Sequence, residues 1–242
     1  MRSVKILLSF VVLAYSTVSS ASIQILSTRV ILNAVEKEQS FVIRNVGESP
    51  SLVQIWLSNQ NHNEMKIEDD LPLFITPPVG RINAGKRKVF RVFAGEQALS
   101  VLPQDRESVF WINALDIPEQ DKESHHSNRV NLAFRTKIKL FYRPLKMKGT
   151  LIEAAGKLSW TKSKTAQGYE MIATNNSPFH ITLANITLKS GDEAVATLPG
   201  EMIAPYSAQR FLFKTTGKVN ASGLEYDYIS DLGAFVNIKQ KL

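Results

Sequence analysis

The chain has 242 residues, a formal net charge of +7 and no cysteine. The lack of cysteine excludes disulfides, thiolate metal sites and cysteine nucleophiles, so stability must come from buried apolar surface. The length is enough for two cores of ordinary domain size. Lysine and arginine are scattered among acidic residues rather than grouped with aromatic ones, which argues against nucleic acid and fits an acidic group or a peptide terminus as the partner.

The first 21 residues have the features of a cleavable secretory signal. Arg2 and Lys5 give a basic start, a short apolar run follows, and Ser19 and Ala21 are small residues at the spacing that a signal peptidase requires. We therefore expect an exported chain that begins at Ser22 after cleavage. A lone membrane anchor is the alternative, but the apolar run is short for a bilayer-spanning helix and no later segment is long and apolar enough.

Short strand-like runs separated by turn signals continue from the leader almost to the end, without a convincing amphipathic helix. This all-β pattern is typical of β-sandwiches, and the spacing predicts two in tandem. The strands predicted in the first half are Ile23–Leu26, Val30–Leu32, Phe41–Arg44, Leu52–Leu57, Leu73–Thr76, Lys88–Phe93, Val109–Leu115 and Arg129–Tyr142. Turns are predicted at Gly47–Pro50, Asn59–Asn63, Pro77–Gly80 and Asn83–Gly85.

A short lysine-containing passage with a glycine, Leu145–Gly149, separates the two halves. Because the strand pattern restarts after it, we predict a first domain over 22–144, a linker over 145–149 and a second domain over 150–242. The strands predicted in the second half are Lys157–Trp160, Tyr169–Thr174, His180–Leu188, Ala194–Leu198, Gln209–Lys214, Glu225–Ser230 and Ala234–Ile238.

The segment from Arg129 to Pro144 has the most regular alternation in the chain. It places Val130, Leu132, Phe134, Ile138 and Leu140 on one face and Arg129, Asn131, Arg135, Lys137 and Lys139 on the other. Since an ordinary strand has about 5–6 residues, this one is long enough to continue past its own sheet and offer an apolar edge for strand addition. A central strand of a β-sandwich with a charged outer face is the alternative.

The sequence lacks the signatures of an enzyme or a metal site. It contains no Gly-x-Ser-x-Gly elbow, no phosphate-binding glycine loop and no His-Glu-x-x-His pattern. His125 and His126 lie in a polar stretch near acidic residues, but nothing there fixes the geometry that a metal requires. We therefore predict no catalysis, no metal and no cofactor.

The order and spacing of several short motifs carry a family resemblance. These motifs are Thr28–Arg29–Val30, Thr76–Pro77–Pro78–Val79 with Arg81, Leu102–Ser108 with Phe110 and Asn113, Ile117–Pro118, and Thr136–Pro144. Together they resemble the PapD-like periplasmic chaperones of the chaperone–usher pilus pathway, from Ser22 to near the C-terminus. The resemblance implies two immunoglobulin-like β-sandwich domains at an angle, like a boomerang, with a cleft between them.

The resemblance also implies a function and a set of site residues. In this family the chaperone binds pilus, or fimbrial, subunits in the periplasm without ATP, lends each one a β-strand, and delivers it to an outer-membrane usher. At matching positions, Val130, Leu132 and Phe134 would be the donated apolar residues. Arg29 and Lys139 would be the paired cations that bind the C-terminal carboxylate of the subunit.

Three charged residues match a network that joins the two domains in this family: Glu107, Arg143 and Asp231. The alternative is three unrelated surface charges, each contributing little. The absence of cysteine favours the short-loop class of the family, although the polar segment after Pro118 is slightly longer than that class leads us to expect. The second half matches the family less closely than the first.

The segment Pro77, Pro78 and Val79 matches a family region associated with usher contact and with a turn that often carries a cis proline. A tight turn alone would also explain it. The resemblance gives subunits and the usher as partners, with no nucleic acid and no membrane embedding, and the apolar strand predicts self-association of the free protein. A two-domain immunoglobulin-like adhesin and a secreted β-sandwich hydrolase are the rival functions.

Overall fold

The computed structural model describes residues 22–59, 70–118, 132–215 and 219–242. The strands of the first half are β1 Ile23–Ile25, β2 Arg29–Asn33, β3 Glu38–Asn45, β4 Ser51–Ser58, β5 Leu73–Thr76, β6 Val79–Ile82, β7 Arg87–Ala94, β8 Ser108–Pro118 and β9 Phe134–Arg143. Those of the second half are β10 Ser159–Thr165, β11 Gly168–Asn175, β12 Ile181–Ser190, β13 Glu193–Pro199, β14 Met202–Ile203, β15 Ser207–Lys214, β16 Gly223–Ile229 and β17 Phe235–Lys241.

The strands of the first half form one β-sandwich. Its sheets have the strand orders β1-β3-β7-β5 and β2-β9-β8-β4-β6. Alternate residues of both sheets point inward, and they form a single buried cluster whose least exposed members include Leu32, Ile43, Phe90, Ile112 and Leu140. This burial is what the alternating sequence pattern predicts for sheets that share a core.

The strands of the second half form a second β-sandwich with its own core. Its sheets have the orders β10-β11-β15 and β13-β12-β16-β17, and β14 pairs with β12. The second cluster of buried residues includes Met171, Ile186, Phe213, Tyr226 and Tyr228. The predicted all-β class with two immunoglobulin-like sandwiches is therefore confirmed, whereas the domain limits drawn at 144 and 150 stay a prediction.

Within the described ranges there are two short helices that the strand pattern did not predict, Ala98–Val101 and Leu151–Gly156. The second begins with a capping box: Thr150 Oγ1 accepts a hydrogen bond from Glu153 N at 3.3 Å, and Glu153 Oε2 accepts one from Thr150 N at 3.2 Å. This Thr-x-x-Glu spacing was a readable sign of a helix start. None of the helices in the described ranges has the length and apolar character needed to span a membrane.

The turn predicted at Pro77–Gly80 is wrong in its second half. The Thr76–Pro77 bond is cis, but Val79 already belongs to β6, which pairs with β4 in the register Gln54↔Val79. The ladder begins even earlier, because Pro78 O accepts a hydrogen bond from Ile55 N at 2.7 Å. Pairing with a neighbouring strand therefore overrides the turn propensity of the local composition.

Within the described residues, the strand predicted over Arg129–Tyr142 begins later than expected. Leu132 precedes β9, which starts at Phe134, the partner of Asp116 on β8. Continuing this ladder backward would require Pro118, which has no backbone N–H to donate. Val130 lies outside the described residues.

Candidate functional site

The centre of the site is the contact between two parallel strands of the first sandwich. β2 pairs with β9 from Arg29↔Lys139 to Asn33↔Arg143. β2 therefore begins opposite Lys139, and the first part of β9, from Phe134 to Ile138, extends beyond it. The edge of β9 from Phe134 to Ile138 is therefore not covered by β2. A strand added there would continue the line of β2 and would end at Arg29 and Lys139.

The apolar face of β9 divides into a buried and an exposed part. Leu140 and Ile138 belong to the core, with exposed fractions of 0% and 8%, whereas Phe134 is 44% exposed and Leu132, just before the strand, is 61% exposed. Residues of identical pattern therefore have different environments, and only the early ones are accessible to a partner. Val130, the third residue predicted to be donated, lies outside the described ranges.

Arg29 is a buried cation with an incomplete set of hydrogen bonds. Only 8% of the residue is exposed. Its Nη1 donates to the carbonyl oxygen of Ile229 in the second sandwich at 3.2 Å, and its Cζ lies 5.9 Å from the ring centroid of Phe141. Its Nε is buried without a partner among the described atoms. A buried donor without an acceptor is costly, so this guanidinium can accept a further anionic partner.

Lys139 lies between Arg29 and an aromatic ring. It is the cross-strand partner of Trp111 on β8 as well as of Arg29 on β2, and its Nζ is 5.2 Å from the Trp111 ring centroid. Burial lowers the pKa of Lys139, and the positive charge of Arg29 lowers it further. Both effects disfavour the charged ammonium, and an anion bound between the two cations would reverse the second.

Arg143 joins the two sandwiches through two carboxylates. Its Nε donates to Glu107 Oε1 at 2.6 Å, and its Nη1 and Nη2 donate to the two carboxylate oxygens of Asp231 at 2.7 and 2.6 Å. Burial alone would lower the pKa of Arg143, but the hydrogen bonds and charges of Asp231 and Glu107 outweigh it and raise the pKa. The three residues predicted to form a charged network are therefore in direct contact, and the contact crosses the boundary between the two cores.

Glu107 has a further partner that the sequence did not indicate. Its Oε2 accepts a hydrogen bond from the backbone N of His180 at 2.7 Å and lies 3.2 Å from His180 Nδ1. Its own backbone N donates to Pro178 O at 2.9 Å. The carboxylate, only 1% exposed, thus binds both sandwiches. No local signal relates Glu107 to a histidine 73 positions away.

The turn between β16 and β17 packs against the segment that precedes β2. Gly233 has a φ of +82°, and a Cβ atom at this position would lie 2.2 Å from Thr28 Oγ1. A glycine is required here both by the backbone conformation and by the close approach. Beside this contact is a cleft of about 420 Å³, lined among others by Arg29, Asp231 and Leu232.

The segment Pro77, Pro78 and Val79 lies on the far side of the same sheet, at β6. Val79 is 46% exposed, and two residues of neighbouring strands, Leu52 and Ile117, are 42% and 37% exposed. Leu52 and Ile117 are direct cross-strand partners. Val79 places exposed apolar surface next to the two prolines, and Leu52 and Ile117 add exposed apolar surface further along the same outer face of the sheet. A tight turn alone would not require this.

In the described ranges, no group of three or more side chains comes together in a way that could hold a metal ion. His125 and His126 lie outside those ranges. Near the cleft, two adjacent cations converge with an interdomain ion pair. Such a site can bind an anion and align a strand.

Comparison with known proteins places this geometry in a family. The chain matches the model of the pili and flagellar-assembly chaperone, PapD N-terminal domain, over residues 22–148. It matches the model of the pili assembly chaperone PapD, C-terminal domain, over residues 153–240. The two models together cover most of the chain.

Individual relatives agree with the two models. The chain is 34% identical to the probable fimbrial chaperone YadV of Escherichia coli over 95% of its length and 94% of the relative. It is 32% identical to the chaperone protein FimB/FhaD of Bordetella pertussis, covering 88% and 85% of the two chains. The crystal structure of the YadV chaperone superposes with a TM-score of 0.73 at 32% identity, covering 92% of this chain and 100% of that one. The chain therefore belongs to the PapD family of pilus-assembly chaperones.

Proposed function

We propose that the chain binds fimbrial subunits in the periplasm, completes their fold with the exposed edge of β9 and delivers them to an outer-membrane usher. The observation that carries the proposal is the position of Arg29 and Lys139 at the point where β2 begins and the accessible part of β9 ends. A partner strand that follows this edge must stop at two cations. Membership of a chaperone family and the names of its relatives support the same function.

The geometry also gives the direction of the added strand. β2 runs parallel to β9, with Arg29 as its first residue. A partner strand that lies in line with β2 and parallel to β9 would place its last residue beside Arg29, whereas an antiparallel strand would place its first residue there. Two cations fit a C-terminal carboxylate and repel an N-terminal ammonium. We therefore infer parallel addition of a strand that ends in a free carboxylate.

Three contributions would stabilise this complex. Backbone groups of the partner pair with the edge of β9. Exposed apolar side chains become buried, each contributing roughly 1.5–3 kcal/mol. Arginine engages both carboxylate oxygens while lysine adds a compact charge, and together they fix the register of the pairing strands. None of these contributions requires ATP.

Replacement of Leu132 or Phe134 by aspartate should abolish binding of fimbrial subunits without unfolding the free protein. Both residues are exposed, so a charge costs little in the free protein but would be buried in the complex. Leu212→Asp is a matched control, because Leu212 is 59% exposed on β15 of the other sandwich. Binding is measured by co-purification with a candidate fimbrial subunit, and the fold by thermal unfolding. A large drop in the melting temperature of Phe134→Asp would instead place Phe134 in the core.

Periplasmic location rests on the leader predicted from the sequence, since residues 1–21 lie outside the described ranges. Mass spectrometry of the periplasmic fraction should find a protein that begins at Ser22. The small residues Ser19 and Ala21 determine the cleavage point, so Ala21→Leu should slow processing. Intact chains beginning at Met1 in the membrane fraction would show that the leader is retained as an anchor.

The usher contact rests on the resemblance of the Pro77–Pro78–Val79 segment and on the exposed apolar side chains of Val79, Leu52 and Ile117. Val79 and Leu52 lie on β6 and β4, which β8 separates from β9, so a subunit and an usher could bind at once. Self-association of the free protein and the short-loop class stay predictions from the sequence.

The proposed function is tested by co-expression with a candidate subunit. We expect a one-to-one complex that survives purification and dissociates only when a competing strand is supplied. A subunit truncated by its last residue still ends in a carboxylate, but that carboxylate no longer reaches the two cations when the strand keeps its register. Such a subunit should bind more weakly. Equal recovery of the full-length and truncated subunits would contradict a site for the C-terminus of the fimbrial partner.

A further inference from the structure

The pairing of β2 with β9 places two like charges side by side. Arg29 and Lys139 are cross-strand partners on β2 and β9. Arg29 has nearby compensating charges, because Asp231 and Glu107 favour its charged form. For Lys139 the described residues offer no such carboxylate. Burial of the side chain and the positive charge of Arg29 both disfavour the charged ammonium. Something else must hold this ammonium at the site.

The side chain in contact with Lys139 on the other side is Trp111. Trp111, Lys139 and Arg29 form one row across three neighbouring strands, β8, β9 and β2. The Lys139 Nζ lies over the indole at 5.2 Å from the ring centroid, within the range of a cation–π interaction. Arg29 has a corresponding contact with Phe141, at 5.9 Å. Each cation of the pair is therefore directed over an aromatic face.

We propose that Trp111 is a positioning residue of the carboxylate site, whose indole face keeps the Lys139 ammonium charged and directed towards the arriving C-terminus. This inference rests on the proposed function and assigns to Trp111 a role beyond packing. The π face supplies the negative potential that a carboxylate would otherwise provide, but without occupying the anion position. The site is thereby prepared for binding and not blocked by an internal ion pair.

A role in packing alone makes a different prediction for the protonation of Lys139. If Trp111 only covers the lysine, its removal exposes the ammonium to water and the pKa of Lys139 rises. If the ring stabilises the cation, loss of the π face lowers the pKa, and weakening the π face by fluorination at nearly constant shape lowers it in the same direction. The charged group that faces Lys139 from β2 is Arg29, and Arg29 is unchanged in both cases. The sign of the pKa change therefore separates the two roles.

The experiment compares Trp111→Leu with Trp111→Phe in the full-length mature protein. The pKa of Lys139 is followed by NMR of its labelled ε position in the free protein. Affinity is measured for two synthetic probes, the last twelve residues of a candidate fimbrial subunit, as the free acid and as the C-terminal amide. Trp56→Leu is the matched control, since Trp56 lies on the adjacent strand β4 and its cross-strand partner on β8 is the neutral Asn113.

We expect the Lys139 pKa to fall in Trp111→Leu and to stay close to wild type in Trp111→Phe. The preference for the acid over the amide should fall about five- to thirtyfold in Trp111→Leu, as expected for loss of a partly desolvated cation–π contact. It should be unchanged in Trp56→Leu. Should Trp111→Leu fail to fold, fluorinated tryptophan at position 111, which weakens the π face at nearly constant shape, should lower the pKa in the same direction.

Two outcomes would overturn the inference: a Lys139 pKa that rises in Trp111→Leu or with the fluorinated ring, or an unchanged acid-to-amide preference in those variants. Failure of the proposed function has a different signature. In that case the wild-type protein itself would bind the acid and the amide equally well. The pKa measurement on the free protein needs no ligand and would still report on Trp111.

Discussion

Lys139→Ala should weaken subunit binding by orders of magnitude and leave the free chaperone folded. Truncating one partner of a buried charge pair typically costs about 2–5 kcal/mol, or roughly 30- to several-thousandfold in affinity. In the free protein the lysine is repelled by Arg29, and both this repulsion and its burial lower its pKa. Its removal relieves the repulsion by Arg29 but also loses the contact with the Trp111 ring, so the melting temperature should change little.

Amidation of the peptide carboxylate identifies the anion that Lys139 binds. Amidation should weaken binding to wild type at least as much as Lys139→Ala weakens binding of the free acid, because the amide loses the contacts with both cations. Amidation should have a smaller effect in the variant, where only Arg29 can still prefer the acid. Lys137→Ala is the local control, because it removes a cation two residues earlier on the same face of β9. It should preserve the difference between the acid and the amide. If the two peptides bind wild type equally well, Lys139 does not bind a terminal carboxylate.

Arg29→Ala is a less selective test of the same site. The guanidinium also donates to Ile229 O in the second sandwich, so its loss removes an interdomain hydrogen bond as well as a cation. We expect reduced stability together with reduced binding, and the two effects must be measured separately. The shared role of Arg29 has a mechanistic consequence. A carboxylate that binds Arg29 acts on a residue that also holds the second sandwich in place.

The sequence was most informative where one physical rule dominates. Alternation of apolar and polar residues predicted most of the strands and both sandwiches, because side chains of a strand point to opposite faces and only one face meets the core. The same alternation could not distinguish Phe134 from Leu140, which have the same pattern and opposite exposure. That difference depends on where the neighbouring strand ends, which is a property of the assembled sheet.

Residues that act through long-range contacts were the hardest to predict. The family resemblance pointed to Glu107, Arg143 and Asp231, but the partner His180 and the ring of Trp111 had no recognisable signal. No local pattern relates His180 to Glu107, because the two residues are 73 positions apart. Trp111 lies within the predicted strand Val109–Leu115, and nothing in that strand pattern marks it for a role. Its contact with Lys139 follows only from the register of β8 and β9.

Glu107→Ala should be the most destabilising change in the contact between the sandwiches. Its carboxylate is 1% exposed and accepts hydrogen bonds from Arg143 and from the backbone of His180. Removing one partner of a buried ion pair typically costs about 3–5 kcal/mol, since the other charge is left buried without compensation. Because Glu107 contacts both sandwiches, their unfolding transitions should also separate.

Urea unfolding measures the loss of stability, and small-angle scattering measures the spread of interdomain angles. Asp105→Ala is the matched control, because Asp105 forms an exposed ion pair with Arg106, the next residue in the chain, with side chains 60% and 41% exposed. It should change neither quantity measurably. Asp231→Ala should have an intermediate effect, since Asp231 is 37% exposed.

Measurements of subunit binding distinguish a structural role of Glu107 from a direct one. If the carboxylate fixes the orientation of the sandwiches, purified Glu107→Ala should keep the preference for the free acid over the amide, because Lys139 and Trp111 both lie within the first sandwich and remain in place. Its overall affinity for the subunit should fall only by the amount that the changed orientation of the two sandwiches costs. Unchanged stability with complete loss of subunit binding would instead mean that Glu107 contacts the subunit itself.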